Sequence, residues 1–243
     1  MATSKSIDPR DRLIFAMDVA EPAAARELAE QLGDAVQFYK LGLEMMMSGG
    51  YFELLDWMAR RGKKVFADLK FFDVPATVGA AVRQLARRGV SFATVHGNQG
   101  IMEAAAKAKG EVKILAVTVL TSLDRGDLDD LGFACDVEQL VLSRARRALE
   151  AGCDGVVASG LELPAMRRAV DQRLLVVTPG IRPVENRPAD DQKRVVTVEQ
   201  AFRDGADYIV VGRPIRDAAD PRQAAQAIQA TIAGMFSSRG AQQ

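Results

Sequence analysis

The chain has 243 residues, enough for one large domain with a full buried core. Hydrophobic residues make up 48% and charged residues 26%, and 32 basic side chains balance 32 acidic ones, so there is no basic surplus and no nucleic-acid partner is expected. The apolar runs are far too short to cross a bilayer, which leaves buried strands as their natural role and no membrane partner.

In chain order, Met1 to Arg12 reads as a loose terminus. Eight short apolar runs then recur: LIFAMDV, QFYKLGL, KVFADLK, FATVHG, KILAVTVL, DGVVASG, LLVVTPGI and YIVVGR. Between them lie stretches with helical spacing of apolar positions, among them PAAARELAEQL, YFELLDWMARRG, TVGAAVRQLARRG, VEQLVLSRARRALEAG and VEQAFRDGA. Several of these run into a glycine, as helix C-termini prefer. Continuous apolar strands suit a parallel sheet covered on both faces, and repeated strand-helix units imply right-handed crossovers. Eight such units predict an α/β fold, a (β/α)8 TIM barrel, as a single domain over residues 1–243 with residues 1–12 and 237–243 as loose ends. An open doubly wound sheet is the alternative, and the GxGxxG turn that would favour it is missing.

RPVENRPADDQKR, from Arg182 to Arg194, has no apolar period and holds two prolines, so it is expected to be a long loop after the seventh strand and a candidate lid. Cys135 and Cys153 lack CxxC spacing and no secretory leader is read, so neither a disulfide framework nor a zinc site is expected, and the cytoplasm is the expected compartment. The basic cluster of Arg144, Arg146 and Arg147 reads as a solvated helix face.

Polar residues stand at the C-terminal end of nearly every apolar run: Asp18, Lys40, Asp68 with Lys70, His96, Thr121, Ser159, Arg182 and Arg213. In a (β/α)8 barrel these ends converge on the rim where active sites are built. Solvent contact alone explains Ser159 or His96. It does not explain two lysines and three aspartates, because charges near a core need partners. Side chains alternate along a strand, so Asp68 and Lys70 share a face, and Asp73 follows beside the rigid Val74-Pro75 turn. Lys40, Asp68, Lys70 and Asp73 are thus candidates for a network of alternating charge, with Lys70 an ammonium and a candidate general acid. Gly212 and Arg213 end the eighth run, where barrels of this kind often hold a phosphate.

Six segments, FAMDV, YKLGLE, DLKFFDVPATV, VTVLTS, VTPGIRP with DDQKR, and DYIVVGRPI, occur in the order and spacing of a known family. Through them the chain resembles the orotidine 5′-phosphate decarboxylases of bacterial type over nearly its whole length. The resemblance implies a metal-free, cofactor-free enzyme that converts orotidine 5′-phosphate to uridine 5′-phosphate (UMP) and CO2, the last step of UMP synthesis. It implies a catalytic tetrad of Lys40, Asp68, Lys70 and Asp73, with Lys70 as proton donor to C6. Asp18 and Lys40 match ribose contacts, Thr121 a position near the pyrimidine, and Arg182, Gln192, Gly212 and Arg213 the phosphate site. Family members are homodimers in which the counterparts of Asp73 and Thr77 enter the neighbour's active site.

Phe72 replaces a common His of the family motif and Ala76 a common Asn, and the HGNQG and ASGLE stretches also depart from it. His96, the lone histidine, is expected to be structural, since the implied chemistry uses an ammonium. Two rivals stay open: a magnesium-dependent sugar-phosphate decarboxylase or aldolase sharing the D-x-K-x-x-D core, and a non-catalytic barrel that binds a phosphate ligand.

Overall fold

In a computed structural model that describes residues 5–182 and 195–237, the eight apolar runs become eight parallel strands closing a barrel in chain order. They are β1 (Leu13–Ala16), β2 (Phe38–Leu41), β3 (Lys64–Phe71), β4 (Phe92–His96), β5 (Lys113–Val117), β6 (Gly155–Val157), β7 (Leu175–Thr178) and β8 (Tyr208–Val211). The expected (β/α)8 architecture is therefore present, and β1 pairs with both β2 and β8 to shut the ring.

Alternation along each strand builds two cores. Ile14, Ala16, Phe38, Phe66, Phe92, Leu115, Leu175, Val177, Tyr208 and Val210 point into the barrel as one cluster. Their neighbours, such as Leu13, Phe15, Met17, Tyr39, Leu41, Val65 and Ala67, belong to the larger cluster between strands and helices. Inside the barrel, the Phe92 ring meets Phe38 at 4.9 Å, Tyr208 at 5.1 Å and Phe66 at 5.9 Å. These aromatics fill the part of the interior nearest the strand starts, so open space remains toward the C-terminal ends. Gly155 is fitted to this packing: a Cβ there would lie 2.5 Å from the Leu175 carbonyl oxygen and 2.8 Å from Leu115 Cδ2.

The helices cover the outer core: α1 (Pro22–Leu32), α2 (Leu43–Met47), α3 (Tyr51–Arg60), α4 (Pro75–Ala86), α5 (Gln99–Ala108), α6 (Arg125–Asp130), α7 (Val137–Glu150), α8 (Leu163–Ala169), α9 (Val198–Arg203), α10 (Arg213–Arg216) and α11 (Pro221–Ser237). The glycines read as stop signals act as such; Gly62 after α3 and Gly152 after α7 take φ of 68° and 83°. Among the described residues no helix is long and apolar enough to cross a membrane, and Cys135 and Cys153 are free thiols.

The expectation of a loose N-terminus fails from Lys5 onward. Lys5 Nζ donates to Asp207 at 2.5 Å and to the Leu174 carbonyl at 2.7 Å. Buried Arg12 donates to the Asp207 carbonyl at 3.0 Å and lies 3.8 Å from the centre of the Phe236 ring on α11. The partner, Asp207, is far away in sequence, so local composition carried no trace of the anchor. The candidate lid lies outside the described residues beyond Arg182. Its flanks are joined, with Ile181 bridging Val196 in parallel and Arg182 N–H donating to the Val196 carbonyl at 3.0 Å.

Candidate active site

A cavity of about 460 Å³ opens at the C-terminal ends of the strands. Ala16, Phe66, Val117, Val157 and Val210 give it apolar walls. Its polar lining includes Asp18, Lys40, Asp68, Lys70, Thr121, Arg182, Gly212, Arg213 and Arg216, drawn from six different stretches of the chain. Five cationic side chains face two carboxylates, an excess of three charges inside a chain whose formal net charge is zero. A cavity with that balance favours an anionic ligand.

The carboxylates and lysines form a chain of alternating sign. Lys40 Nζ lies 3.1 Å from Asp18 Oδ1 and 3.6 Å from Asp68 Oδ2, and Lys70 Nζ lies 2.9 Å from the same Asp68 oxygen. Asp68 Oδ1 accepts the Thr94 hydroxyl at 2.9 Å. Burial opposes ionisation of Asp68, but the Lys40 and Lys70 ammonium groups and hydrogen bonds from Lys70 and Thr94 outweigh it and hold the carboxyl below its ordinary pKa. Burial likewise opposes the Lys40 ammonium, and Asp68 with Asp18 outweighs it, so Lys40 is held above the ordinary lysine value. Both groups are therefore charged at neutral pH.

Asp68 and Lys70 share a face as alternation predicts, although the strand is irregular there. Pairing runs Ala67 with Ala93 and then Phe71 with Val95, so β3 advances four residues while β4 advances two. The excess is even, hence no side chain changes face, and Leu69 and Phe71 still pack against the outer core. Lys70 takes φ of 48°, the one positive φ outside glycine among the described residues.

Arg182, Gly212 and Arg213 reach the cavity from the ends of β7 and β8. Arg182 is buried, and its side chain donates to the Ile181 carbonyl at 3.1 Å. Gly212 packs closely on β1, where an added Cβ would lie 3.3 Å from Ala16 Cβ. Arg216, which the sequence reading missed, joins them; it donates to the Asp18 carbonyl at 2.7 Å and pairs with Asp217 at 2.6 Å. Its only signal was a second arginine one turn beyond Arg213 in RPIR. Thr94, also missed, is a single polar residue at an inward position of an apolar run.

Within one chain Asp73 and Thr77 do not line the cavity. Both are exposed, and Asp73 Oδ1 accepts its neighbour's N–H, from Val74, at 2.6 Å. Asp18 therefore takes the fourth place in the intrachain network that sequence reasoning assigned to Asp73. His96 stacks on Phe72 with ring centres 4.8 Å apart and lies outside the cavity lining, and burial, then Arg144 and Lys70, depress its pKa. Ser159 is buried and accepts the Leu161 N–H at 3.2 Å. Gln192 lies outside the described residues. Among the described residues no group of three or more histidine, cysteine, aspartate or glutamate side chains is arranged to hold a metal ion.

Residues 11–228 match the orotidine 5′-phosphate decarboxylase / HUMPS family. The chain is 69% identical to an orotidine 5′-phosphate decarboxylase of Methylococcus capsulatus over 96% of this chain and 97% of that one. It is 52% identical to the Stenotrophomonas maltophilia protein of the same name, over 94% and 95% of the two chains. A crystal structure of orotidine 5′-phosphate decarboxylase from Lactobacillus acidophilus superposes with a TM-score of 0.81 at 32% identity, covering 91% of this chain and 99% of that one. Sequence, barrel and the charged cavity thus converge, and the chain belongs to the orotidine 5′-phosphate decarboxylase / HUMPS family.

Proposed function

We propose that this chain converts orotidine 5′-phosphate to UMP and CO2 with no metal and no cofactor. The observation that carries the reading is the Asp68–Lys70 pair, 2.9 Å apart beside the apolar walls of a cavity with excess positive charge. Loss of CO2 breaks the bond between C6 and the carboxyl carbon and leaves an electron pair in the ring plane, where no π system accepts it. A fixed ammonium stabilises that pair and then gives it a proton, because preorganised charge needs no reorientation during the reaction. Lys70 is the donor to C6 and regains its proton from water. Asp68, held ionised by its neighbours, sits beside the departing carboxylate and disfavours its retention. Lys40 and Asp18 take the ribose hydroxyls, Thr121 lies near the pyrimidine, and Arg182, Gln192, Gly212 and Arg213 take the phosphate.

The same reading makes the enzyme a cytoplasmic homodimer with composite sites, each completed by Asp73 and Thr77 of the neighbour. Support comes from the exposed run of residues 72–77, in which Phe72 and Val74 are 68% and 62% exposed. Large apolar side chains gathered beside two polar residues suit a face covered by a second copy. The test of the activity is to mix purified protein with orotidine 5′-phosphate and EDTA and follow the fall of the substrate's absorbance. Turnover that persists with the chelator supports the reading; turnover that needs added magnesium supports an enediolate-stabilising rival; binding without turnover supports a ligand-binding barrel.

A further inference from the structure

Thr94 is the one polar side chain in the buried run of β4, and it is fully shut off from solvent. Its hydroxyl oxygen accepts the Lys70 backbone N–H at 2.9 Å, and its hydroxyl donates to Asp68 Oδ1 at 2.9 Å. One side chain thus touches the backbone of the proposed proton donor and the carboxylate beside it. The contacts occur where β3 spends four residues against two of β4. Such a bulge takes an N–H out of the ladder, and a buried N–H needs another acceptor. Thr94 supplies that acceptor at the residue whose φ is 48°. A left-handed backbone at a side-chain-bearing residue persists only where its surroundings hold it.

We propose that Thr94 is a positioning residue for the decarboxylation, holding the bulge that aims the Lys70 ammonium and fixing the Asp68 carboxylate against it. The inference rests on the reading of Asp68 and Lys70 as the reacting pair. Valine has nearly the shape of threonine and a high strand preference, so Thr94→Val removes the hydroxyl while keeping the fill. A merely structural threonine would cost stability and leave the folded enzyme's kcat alone. A positioning threonine costs kcat, because preorganisation is realised in the transition state and not in ground-state binding.

The test compares the full-length wild type with Thr94→Val and Thr94→Ser by steady-state kinetics across pH and by amide exchange at Lys70. For Thr94→Val we expect kcat to fall at least about tenfold, KM to stay within about threefold, and the acid limb of the kcat profile to move to higher pH. Thr94→Ser should recover most of the rate. Wild-type kcat in Thr94→Val, a loss confined to KM, or an equal loss in Thr94→Ser overturns the proposal. Should Thr94→Val fail to fold, Thr94→Ala decides on the same readouts. A wild type without decarboxylase activity sinks the functional reading alone. In that case Lys70 amide exchange decides the geometry: at least about tenfold faster exchange in Thr94→Val supports it, and unchanged exchange overturns it.

Discussion

Lys40 on β2 and Asp68 on β3 face each other on neighbouring strands, Nζ to Oδ2 3.6 Å apart, with side chains only 13% and 11% exposed. A pair so nearly closed to water is held by what flanks it: Asp18 neutralises the far side of Lys40, and Lys70 the far side of Asp68. Removing one member leaves the other charge short of a partner in a poor solvent. Lys40→Ala should therefore lower unfolding free energy by on the order of 3 kcal/mol, read from the urea midpoint at constant m-value. A loss well under about 1 kcal/mol would mean that the pair is solvated as freely as a surface salt bridge.

The same charges fix how stability responds to pH. Asp68 is depressed in the folded state, so its contribution is complete above the ordinary carboxyl value near 4 and is lost as pH falls through the folded pKa. Lys40 is raised, so its contribution is complete below the ordinary lysine value near 10.4 and is lost as pH rises through its folded pKa. Between about pH 5 and 9 neither group should impose a slope. The stability gap between wild type and Asp68→Asn, followed by thermal melts, should narrow as pH drops below about 4. A gap that holds constant down to about pH 2 would contradict the depressed Asp68.

The phosphate is remote from the reacting carbon, yet its binding energy can organise the charges that act there. Arg213→Ala should lower kcat/KM for orotidine 5′-phosphate by about a hundredfold or more, since a charge-assisted contact to the phosphate is lost. Orotidine without the phosphate should react poorly with the wild type and be indifferent to the substitution. Equal efficiency on both substrates would remove the phosphate from any such role.

If Asp73 completes the neighbour's site, two dead variants should rescue one another. Lys70→Ala and Asp73→Ala, each inactive alone, are mixed after dissociation and reassociated. Half of a random mixture is heterodimer, and each heterodimer has one intact site, so about a quarter of wild-type activity should return. No recovery, with heterodimers demonstrated by mass, would place Asp73 in its own chain's site or outside both.

The barrel was legible because eight continuous apolar runs leave few other ways to bury themselves, and the inward positions followed from strand phase. Phase also placed Lys40, Asp68 and Lys70 on the cavity wall. It did so at Lys70 for an incomplete reason, since the even-numbered bulge preserved the face that a regular strand would have given. Thr94 was hidden because its function depends on an irregularity in the adjacent strand, which no pattern within FATVH encodes. Arg216 carries no strand-end signal of its own, since it stands one helical turn beyond Arg213 on α10 and reaches the cavity only because that short helix folds back over the end of β1. The anchoring of Lys5 and Arg12 leaves no local signal, because their partner, Asp207, meets them only once β8 has closed the ring onto β1. Asp73 looked like a member of the local network from its spacing, but the Val74-Pro75 turn carries it out to solvent.

The most direct measurement is the turnover of orotidine 5′-phosphate by folded Lys70→Ala in the presence of EDTA, beside the wild type under the same conditions. Loss of the only proposed proton donor and of the charge that stabilises the in-plane electron pair should lower kcat by at least about a thousandfold while the circular dichroism spectrum and melting curve remain those of a folded barrel. A Lys70→Ala protein that decarboxylates within about tenfold of the wild type would contradict the assignment of the reaction to the Asp68–Lys70 pair.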